Sequence, residues 1–293
     1  MKFDIDNHGK ELTLMIMGFS IGLFYLLLLV GTVFNLCTMF RSLKSKRVIT
    51  AHVTSLVIEL ARLIMCITCI LQFFVEDDSN NSRIQLGVVF DTLNWGAQFC
   101  SVLFAINQTA SLARNYFTLM YHFKPEEGPK YAKREKILNW SAIVVQVLIM
   151  LFDITASWVN INLNHKIYNK RTPKDTVDKL TLDAKYLMIV IESTILILFG
   201  VVSVTYAICS VRFIRALNYQ GFIMGKDEMK EIKKYLFIMV TDYLAISLSN
   251  ALFTILNDNI KHQFAYYVEA LLCGLILDMF SIGLAVYLNY RTS

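Results

Sequence analysis

The sequence is poor in charge, and this scarcity restricts the environments in which the chain can fold. Asp, Glu, Lys and Arg make up 17% of the 293 residues, whereas soluble domains carry about 25%. Hydrophobic residues make up 56%, and the mean hydropathy is +0.50. With so little polar surface, most of the exterior is expected to face lipid. A soluble helical bundle, which needs a polar face on each helix, is disfavoured.

Proline is absent from the apolar runs, and cysteine is absent from the predicted connections between them. The three prolines, Pro125, Pro129 and Pro173, lie in the predicted connections. No apolar run therefore contains the proline-broken helix that often coordinates ions in transporters. All six cysteines fall inside apolar runs, so we expect no external disulfide framework and interpret them as small packing residues.

Motifs for catalysis are also missing. The chain has no zinc-ligand spacing, no GxSxG nucleophile motif, no phosphate-binding loop and no nucleotide fingerprint. The sequence therefore predicts no catalytic residue, no metal site and no cofactor. We also predict no nucleic-acid partner.

What the chain does contain is seven long apolar runs. An α-helix rises about 1.5 Å per residue, so crossing a hydrocarbon core of about 30 Å takes about 20 residues. Each run reaches that length, at approximately 13–39, 49–75, 85–112, 137–161, 185–211, 232–256 and 264–288. We predict one all-α membrane domain over residues 1–293, a seven-helix transmembrane bundle in the cell membrane.

The distribution of Lys and Arg predicts the orientation, because cytoplasmic loops retain basic residues during insertion. Of the 28, 17 lie in loops one, three and five or after the last span, 10 lie on the opposite side, and Arg62 lies within a span. Loop four, with six, is the exception. This bias places the N-terminus outside. It also places the sequon Asn80-Asn81-Ser82 outside, so we predict that Asn80 is glycosylated.

Acidic side chains within the spans are the strongest candidates for function. A charge at mid-bilayer costs about 2.5 to 3.5 kcal/mol on insertion scales, so these groups should face one another or a wet cavity. The predicted ligand site lies in the outer helix halves. On the third span, helical spacing puts Trp95 and Gln98 on one face with Asp91. Its residues are Asp91, Trp95, Gln98, Asp153, Glu192 and Glu269.

Because this predicted site is rich in acidic side chains, it favours a cationic or hydrogen-bond-donating small molecule as its ligand. The alternative is that the acids are protonated, or bonded to Ser, Thr and Tyr across helices, and only hold the bundle together. Deeper in the spans, Glu59 and Arg62 are three residues apart, within pairing reach on one helix. The pair is interpreted either as a conformational switch or as a structural ion pair.

Several segments resemble the rhodopsin-like G-protein-coupled receptors. Asn35 resembles the asparagine of the family's first helix, and 55–60, Ser-Leu-Val-Ile-Glu-Leu, resembles its second-helix motif with Glu for Asp. Residues 113–116, Ala-Arg-Asn-Tyr, lie where the family has an acidic-Arg-aromatic triplet, here without the acid. Trp140 matches the fourth-helix tryptophan in position, and 283–287 shares the final tyrosine of the seventh-helix motif. The chain is most similar to the nematode serpentine chemoreceptors.

This resemblance implies a chemosensory receptor that binds a small molecule between the outer helix halves. Its cytoplasmic ends would open to a heterotrimeric G protein, and a chemoreceptor of this kind would be located in a sensory cilium. Basic residues at that surface would contact the G protein or, alternatively, anionic lipid headgroups. The residues assigned to switching or coupling are Glu59, Arg62, Arg114, Asp242, Asp278, Tyr287, Lys233 and Lys234.

Two other classes stay open. A ligand-gated channel resembling the insect odorant receptors also has seven spans, but its N-terminus would be cytoplasmic, opposite to the charge bias. A proton-coupled transporter or membrane enzyme would use the buried acids, Asp278 among them, as a proton relay.

Overall fold

A computed structural model describes residues 5–41, 46–74, 80–167, 173–219 and 226–257, together with residues 268, 270–272, 274, 275 and 278, which we call the C-terminal segment. Six long helices follow one another, and no strand occurs among these residues. The helices are α1 (Ile5–Arg41), α2 (Lys46–Phe74), α3 (Asn80–Phe123), α4 (Gly128–Ile167), α5 (Lys174–Tyr219) and α6 (Lys226–Asn257). The described part of the protein is helical, as predicted.

Five of the described helices are long and apolar enough to cross a membrane. The helical stretches that qualify are Leu12–Thr38, His52–Leu71, Gln85–Phe123, Pro125–Ile167 and Lys174–Asn218, each of which contains an apolar segment of that length. They coincide with the first five predicted spans and indicate a multi-pass membrane protein. The described helix α6 covers the sixth predicted span, and most of the seventh lies outside the described residues.

The helices run well beyond the predicted apolar spans. Helix α3 has 44 residues and α5 has 46, although about 20 suffice to cross the hydrocarbon core. A helix satisfies its backbone hydrogen bonds wherever it lies, so no chemical reason ends it at the membrane surface. Hydropathy marks the apolar part of each helix and does not mark its ends.

Proline marks helix starts. Pro125 opens a short 3-10 helix, Pro125–Glu127, between α3 and α4, and Lys124 before it has the non-helical angles φ −128° and ψ 67°. This conformation follows from the clash of the proline ring with the preceding residue. Pro129 lies in the first turn of α4, where its missing N–H has no cost. The Pro173 carbonyl accepts the N–H groups of Thr176 and Val177 at 3.0 Å.

Helix α1 approaches α2 closely through two glycines four residues apart. A Cβ on Gly18 would lie 3.0 Å from the backbone oxygen of Cys66, and one on Gly22 would lie 3.2 Å from the Cβ of Cys66. Small residues at this spacing let membrane helices pack backbone to backbone. Cys66 and Cys69 are buried free thiols, which agrees with their interpretation as packing residues.

Helix α3 divides the described apolar core into two main clusters. One joins α3 to α4, α5 and α6 and contains Trp95, Ile191, Ile195 and Tyr206, whose ring meets Tyr243 edge-on at 5.3 Å between centroids. The other joins α3 to α1, α2 and the C-terminal segment, through side chains that include Tyr25, Met65, Phe90 and Leu271.

Candidate functional site

The guanidinium group of Arg62 lies at the centre of a buried polar cluster. Its Nε donates to Oδ2 of Asp278 in the C-terminal segment at 2.9 Å, and its Nη1 donates to Oδ1 of Asn94 on α3 at 2.7 Å. The Arg62 and Asp278 side chains are 6% and 4% exposed. A charge-assisted hydrogen bond in such surroundings is short and strong. Arg62 therefore connects α2 to both α3 and the C-terminal segment.

Asp278 brings a fourth helix into this cluster. The hydroxyl of Tyr25 on α1 donates to Oδ2 of Asp278 at 2.9 Å, and the hydroxyl of Ser101 on α3 is 3.5 Å from Oδ1. Gln98 joins at the edge, with Nε2 at 3.5 Å from the Asn94 oxygen. We call Tyr25, Arg62, Asn94, Ser101 and Asp278 the central cluster.

Two residues of the central cluster lie near the middle of helices that could span a membrane. Tyr25 is 13 residues from either end of Leu12–Thr38, and Arg62 is 10 and 9 residues from the ends of His52–Leu71. An isolated charge at this depth is costly, and the ion pair with its additional hydrogen bonds offsets that cost. Each charged group is held by at least two helices other than its own.

A glycine makes room for the guanidinium group. A Cβ on Gly274, in the C-terminal segment one turn before Asp278, would lie 2.8 Å from Cζ of Arg62 and 3.0 Å from Nη1. These separations are shorter than real Cβ contacts, so an alanine here would displace the arginine. Gly274 sets how closely the C-terminal segment approaches α2.

Glu59 and Arg62 have different partners from those that their spacing predicts. Arg62 pairs with Asp278, whereas Oε1 of the fully buried Glu59 accepts a hydrogen bond from the Thr32 hydroxyl on α1 at 2.8 Å. The other oxygen, Oε2, is buried and has no hydrogen-bond partner within the described part of the chain. Glu59 thus faces α1, one turn from the central cluster.

The predicted ligand residues on α3 have different surroundings. Trp95 is 3% exposed and belongs to the apolar cluster with α5. Gln98 extends toward Asn94 of the central cluster, and Asp91 is half-buried. On other helices, Asp153 is half-buried and Glu192 is buried, while Glu269 lies outside the described residues.

A regular row of polar side chains joins α3 to α4. Arg114 on α3 donates through Nη2 to Oδ1 of Asn139, and Gln146 donates through Nε2 to Oδ1 of Asn107 at 2.8 Å. One heptad further, Oδ2 of Asp153 would be 3.9 Å from a Cβ on Gly96. On α4 the contacts step by seven residues each time. On α3, which runs antiparallel, they step back by seven residues from Arg114 to Asn107 and by eleven from Asn107 to Gly96. A seven-residue step is typical of left-handed helix packing.

We call this row the polar seam. Its residues on α4 are Asn139, Gln146, Asp153 and Asn160. Sequence reasoning missed it, although polar residues at every seventh position of an apolar span are a readable signal. It also missed Tyr25, Thr32, Asn94 and Gly274, which carry no signal that separates them from other residues in the spans.

At one end of the polar seam Arg114 is held by α4. In addition to its bond to Asn139, its Nε is 3.2 Å from Oε1 of Glu135, and the two side chains are 15% and 32% exposed. The sequence placed Arg114 at a coupling surface. In the structure its guanidinium group instead contacts two side chains of α4, Glu135 and Asn139.

The remaining predicted residues are only partly described. Lys233 and Lys234 are exposed on α6. The side chains of Asp242, within α6, and Asn80, the first residue of α3, lie outside the description, as does Tyr287 altogether. Among the described residues, no group of three His, Cys, Asp or Glu side chains is placed to hold a metal ion.

Comparison with known proteins gives no family. No protein-family model matches the sequence, and no curated protein matches it. The functional argument therefore depends on the central cluster and the polar seam.

Proposed function

We propose that this chain is a seven-span receptor of the serpentine type, with its N-terminus outside, that binds a small molecule between the outer helix halves and responds by movement at its cytoplasmic ends. The observation that carries this proposal is the ion pair between Arg62 and Asp278. It joins helices distant in the sequence at the depth where a ligand site and a cytoplasmic surface would be coupled.

A buried ion pair is poor evidence for stability alone. Replacing such a pair with apolar side chains of similar volume is often neutral or stabilising, whereas the best-attested role of buried polar groups is to specify one arrangement or to switch between two. Arg62 and Asp278, with Tyr25 and Asn94, define one arrangement of α1, α2, α3 and the C-terminal segment. A ligand that binds better to another arrangement shifts the population by its difference in affinity.

The proposed ligand contacts are the acids of the outer helix halves. Asp91 on α3, Asp153 on α4 and Glu192 on α5 are half-buried or buried. Carboxylates accept hydrogen bonds and attract cations. They support a cationic or hydrogen-bond-donating small molecule as the ligand class.

The contacts of Arg114 with Glu135 and Asn139 support a resting state in which the cytoplasmic ends of α3 and α4 stay together. While Glu135 and Asn139 hold its guanidinium group, that group is 15% exposed and is not presented to a partner. Separation of α3 from α4 would release it beside exposed basic residues, which would contact a heterotrimeric G protein. These are Arg212, Arg215, Lys230, Lys233 and Lys234.

The test is a ligand screen in a cell line that reports G-protein activation. We expect a ligand response that Asp91→Asn weakens and Arg114→Ala abolishes at equal surface expression. Ser141→Ala is the matched control, because Ser141 is exposed on α4 and bonds only to its own helix at Leu138. Responses that survive both substitutions would remove these residues from the mechanism, and the absence of any response across the screen would count against the receptor.

One observation favours a second candidate, a proton-coupled transporter. Glu59 is fully buried, and its Oε2 has no hydrogen-bond partner within the described chain, as expected of a carboxyl group that exchanges a proton. Uptake driven by a proton gradient and abolished by both Glu59→Gln and Asp278→Asn would favour the transporter. Uptake unaffected by both substitutions would exclude this relay.

A further inference from the structure

Two lysines before the predicted fourth span lie on the exposed face of α4. That span was predicted to begin at residue 137, but α4 begins at Gly128, so the residues before the span belong to the same helix. Lys133, Lys136 and Trp140 are spaced by three and four residues, which places them on one side of the helix, and all three are exposed. The same side continues with exposed apolar residues, which are Val144, Val147 and Leu151.

We call Lys133, Lys136, Trp140, Val144, Val147 and Leu151 the lipid-facing stripe. The buried residues of α4, such as Tyr131, Ile149 and Ala156, lie on the opposite side of the helix. The two lysines therefore extend the surface that α4 presents to lipid, and they do not face a neighbouring helix of the bundle.

The two tryptophans of α4 indicate the height of these lysines in the membrane. Trp140 and Trp158 are 62% and 66% exposed, and 18 residues separate them by about 27 Å, close to the hydrocarbon thickness. Because tryptophan prefers the interface, Trp140 marks one boundary of the hydrocarbon core. Lys136 and Lys133 lie about 6 and 10 Å beyond it, where their flexible side chains can reach the layer of lipid phosphates.

Neither lysine has a counterion within the described part of the chain. Lys130, one turn before Lys133, lies 3.6 Å from Glu127. Glu135, the single acidic residue in 128–152, pairs with the arginine of α3 described above. Two positive charges on the exposed face of α4 are thus available to an anion from outside the chain.

We propose that Lys133 and Lys136 bind the phosphate group of an anionic phospholipid, whose acyl chain lies along Trp140 and the apolar part of the lipid-facing stripe. Lysines at this level of the membrane attract anionic headgroups. A zwitterionic lipid also has a phosphate, but its choline group would bring a second cation close to the lysines. The inference depends on the proposed function only for the leaflet, which the proposed topology makes the cytoplasmic one.

The test is quenching of Trp140 by lipids brominated near the headgroup. The full chain with Trp158→Phe is reconstituted in phosphatidylcholine vesicles that contain a small fraction of brominated phosphatidylglycerol or of brominated phosphatidylcholine. Trp95 is 3% exposed and contributes a constant background. We expect the anionic lipid to bind beside Trp140 about tenfold more strongly than phosphatidylcholine. NaCl at about 0.5 M should reduce this ratio, because salt screens exposed charges.

Substitution of the lysines provides the second comparison. Lys133→Gln combined with Lys136→Gln should bring the binding ratio of the two lipids close to one. The matched control is Lys124→Gln combined with Arg134→Gln, which removes the same charge near the same end of α4. Lys124 is paired with Glu127 at 3.7 Å, and Arg134 is turned by about 120° from Trp140 around the helix. The control should therefore keep the preference for the anionic lipid.

These four positions are exposed, so both double variants are expected to fold, and the comparison of the two lipids needs no change at the lysines. Equal quenching of Trp140 by the two lipids, or an equal loss of preference in the two double variants, would overturn the proposed site. With Trp140→Phe the remaining Trp158 should be quenched equally by both lipids. A preference for the anionic lipid there too would show a general attraction and would also overturn the site.

The result is independent of the topology, because both leaflets of the vesicles have the same composition. A preference for the anionic lipid at Trp140, found together with a cytoplasmic N-terminus, would refute the proposed receptor topology and leave the lipid site intact. No preference at Trp140 in a protein whose N-terminus is outside would refute the lipid site and leave the receptor proposal standing.

Discussion

Arg62 lies against the helical backbone at Gly274, so closely that a methyl group at position 274 would be 2.8 Å from Cζ of the guanidinium group. The ion pair with Asp278, one turn further along the C-terminal segment, depends on this approach. The absence of a side chain at 274 is therefore as much a part of the central cluster as its charged groups.

Gly274→Ala should destabilise the protein by about 1 to 3 kcal/mol, because the added methyl group overpacks a filled site and moves a paired charge. Unfolding of the detergent-solubilised protein, followed by circular dichroism, measures the change. Gly31→Ala is the matched control, since a Cβ on Gly31 meets nothing within 4 Å. For Gly31→Ala we expect the free energy of unfolding to rise by up to about 1 kcal/mol, because alanine has a higher helix propensity than glycine. Equal effects at the two positions would contradict the close approach.

Removing one partner of the ion pair should cost more than removing both. Arg62→Met alone should destabilise by about 3 to 5 kcal/mol, because Asp278 is then left buried without its cation. Combining it with Asp278→Leu should recover much of the loss, since no buried charge remains. A double-mutant cycle on unfolding free energies measures the coupling. Additive losses would show that the two residues do not interact as described.

Two exposed tryptophans should mark the membrane surfaces. Trp140 and Trp158 on α4 are 62% and 66% exposed. Eighteen residues apart, they share a face at a separation of about 27 Å, close to the hydrocarbon thickness. Tryptophan prefers the interface, so both should be quenched more by lipids brominated near the headgroup than by lipids brominated near the chain end.

The third tryptophan, Trp95, is buried, so these measurements use Trp95→Phe with one remaining tryptophan at a time. Leu148→Trp supplies the comparison, because Leu148 is 60% exposed midway along the same stretch and should be quenched most by the deep bromines. Deep quenching of Trp140 or Trp158 would place α4 at another height in the bilayer.

An epitope tag at Met1 should be labelled on intact cells, because basic residues are concentrated in loops one, three and five. Loss of a glycan with Asn80→Gln, seen as a mobility change that glycosidase reproduces on the unaltered protein, provides an independent measure of the same topology. A tag accessible only after permeabilisation would favour the channel interpretation.

Much of the fold could be predicted because crossing a membrane requires long apolar helices. The first five apolar runs coincide with described helices that could span a bilayer. Helix ends such as Phe123 were not predicted, because the backbone is equally well satisfied beyond the apolar part, and only Pro125 shows where α3 must stop.

The sequence by itself determined the apolar parts of the first five helices and the presence of charged groups that need partners, because hydropathy and helical rise are local properties. Only the tertiary structure decided the partners. Spacing favours Glu59 for Arg62, three residues away, yet Arg62 bonds to Asp278, 216 residues away, and Glu59 bonds to Thr32. Spacing along one helix shows only that two side chains are close enough to pair. The packing of α1, α2, α3 and the C-terminal segment decides which side chains meet inside the bundle.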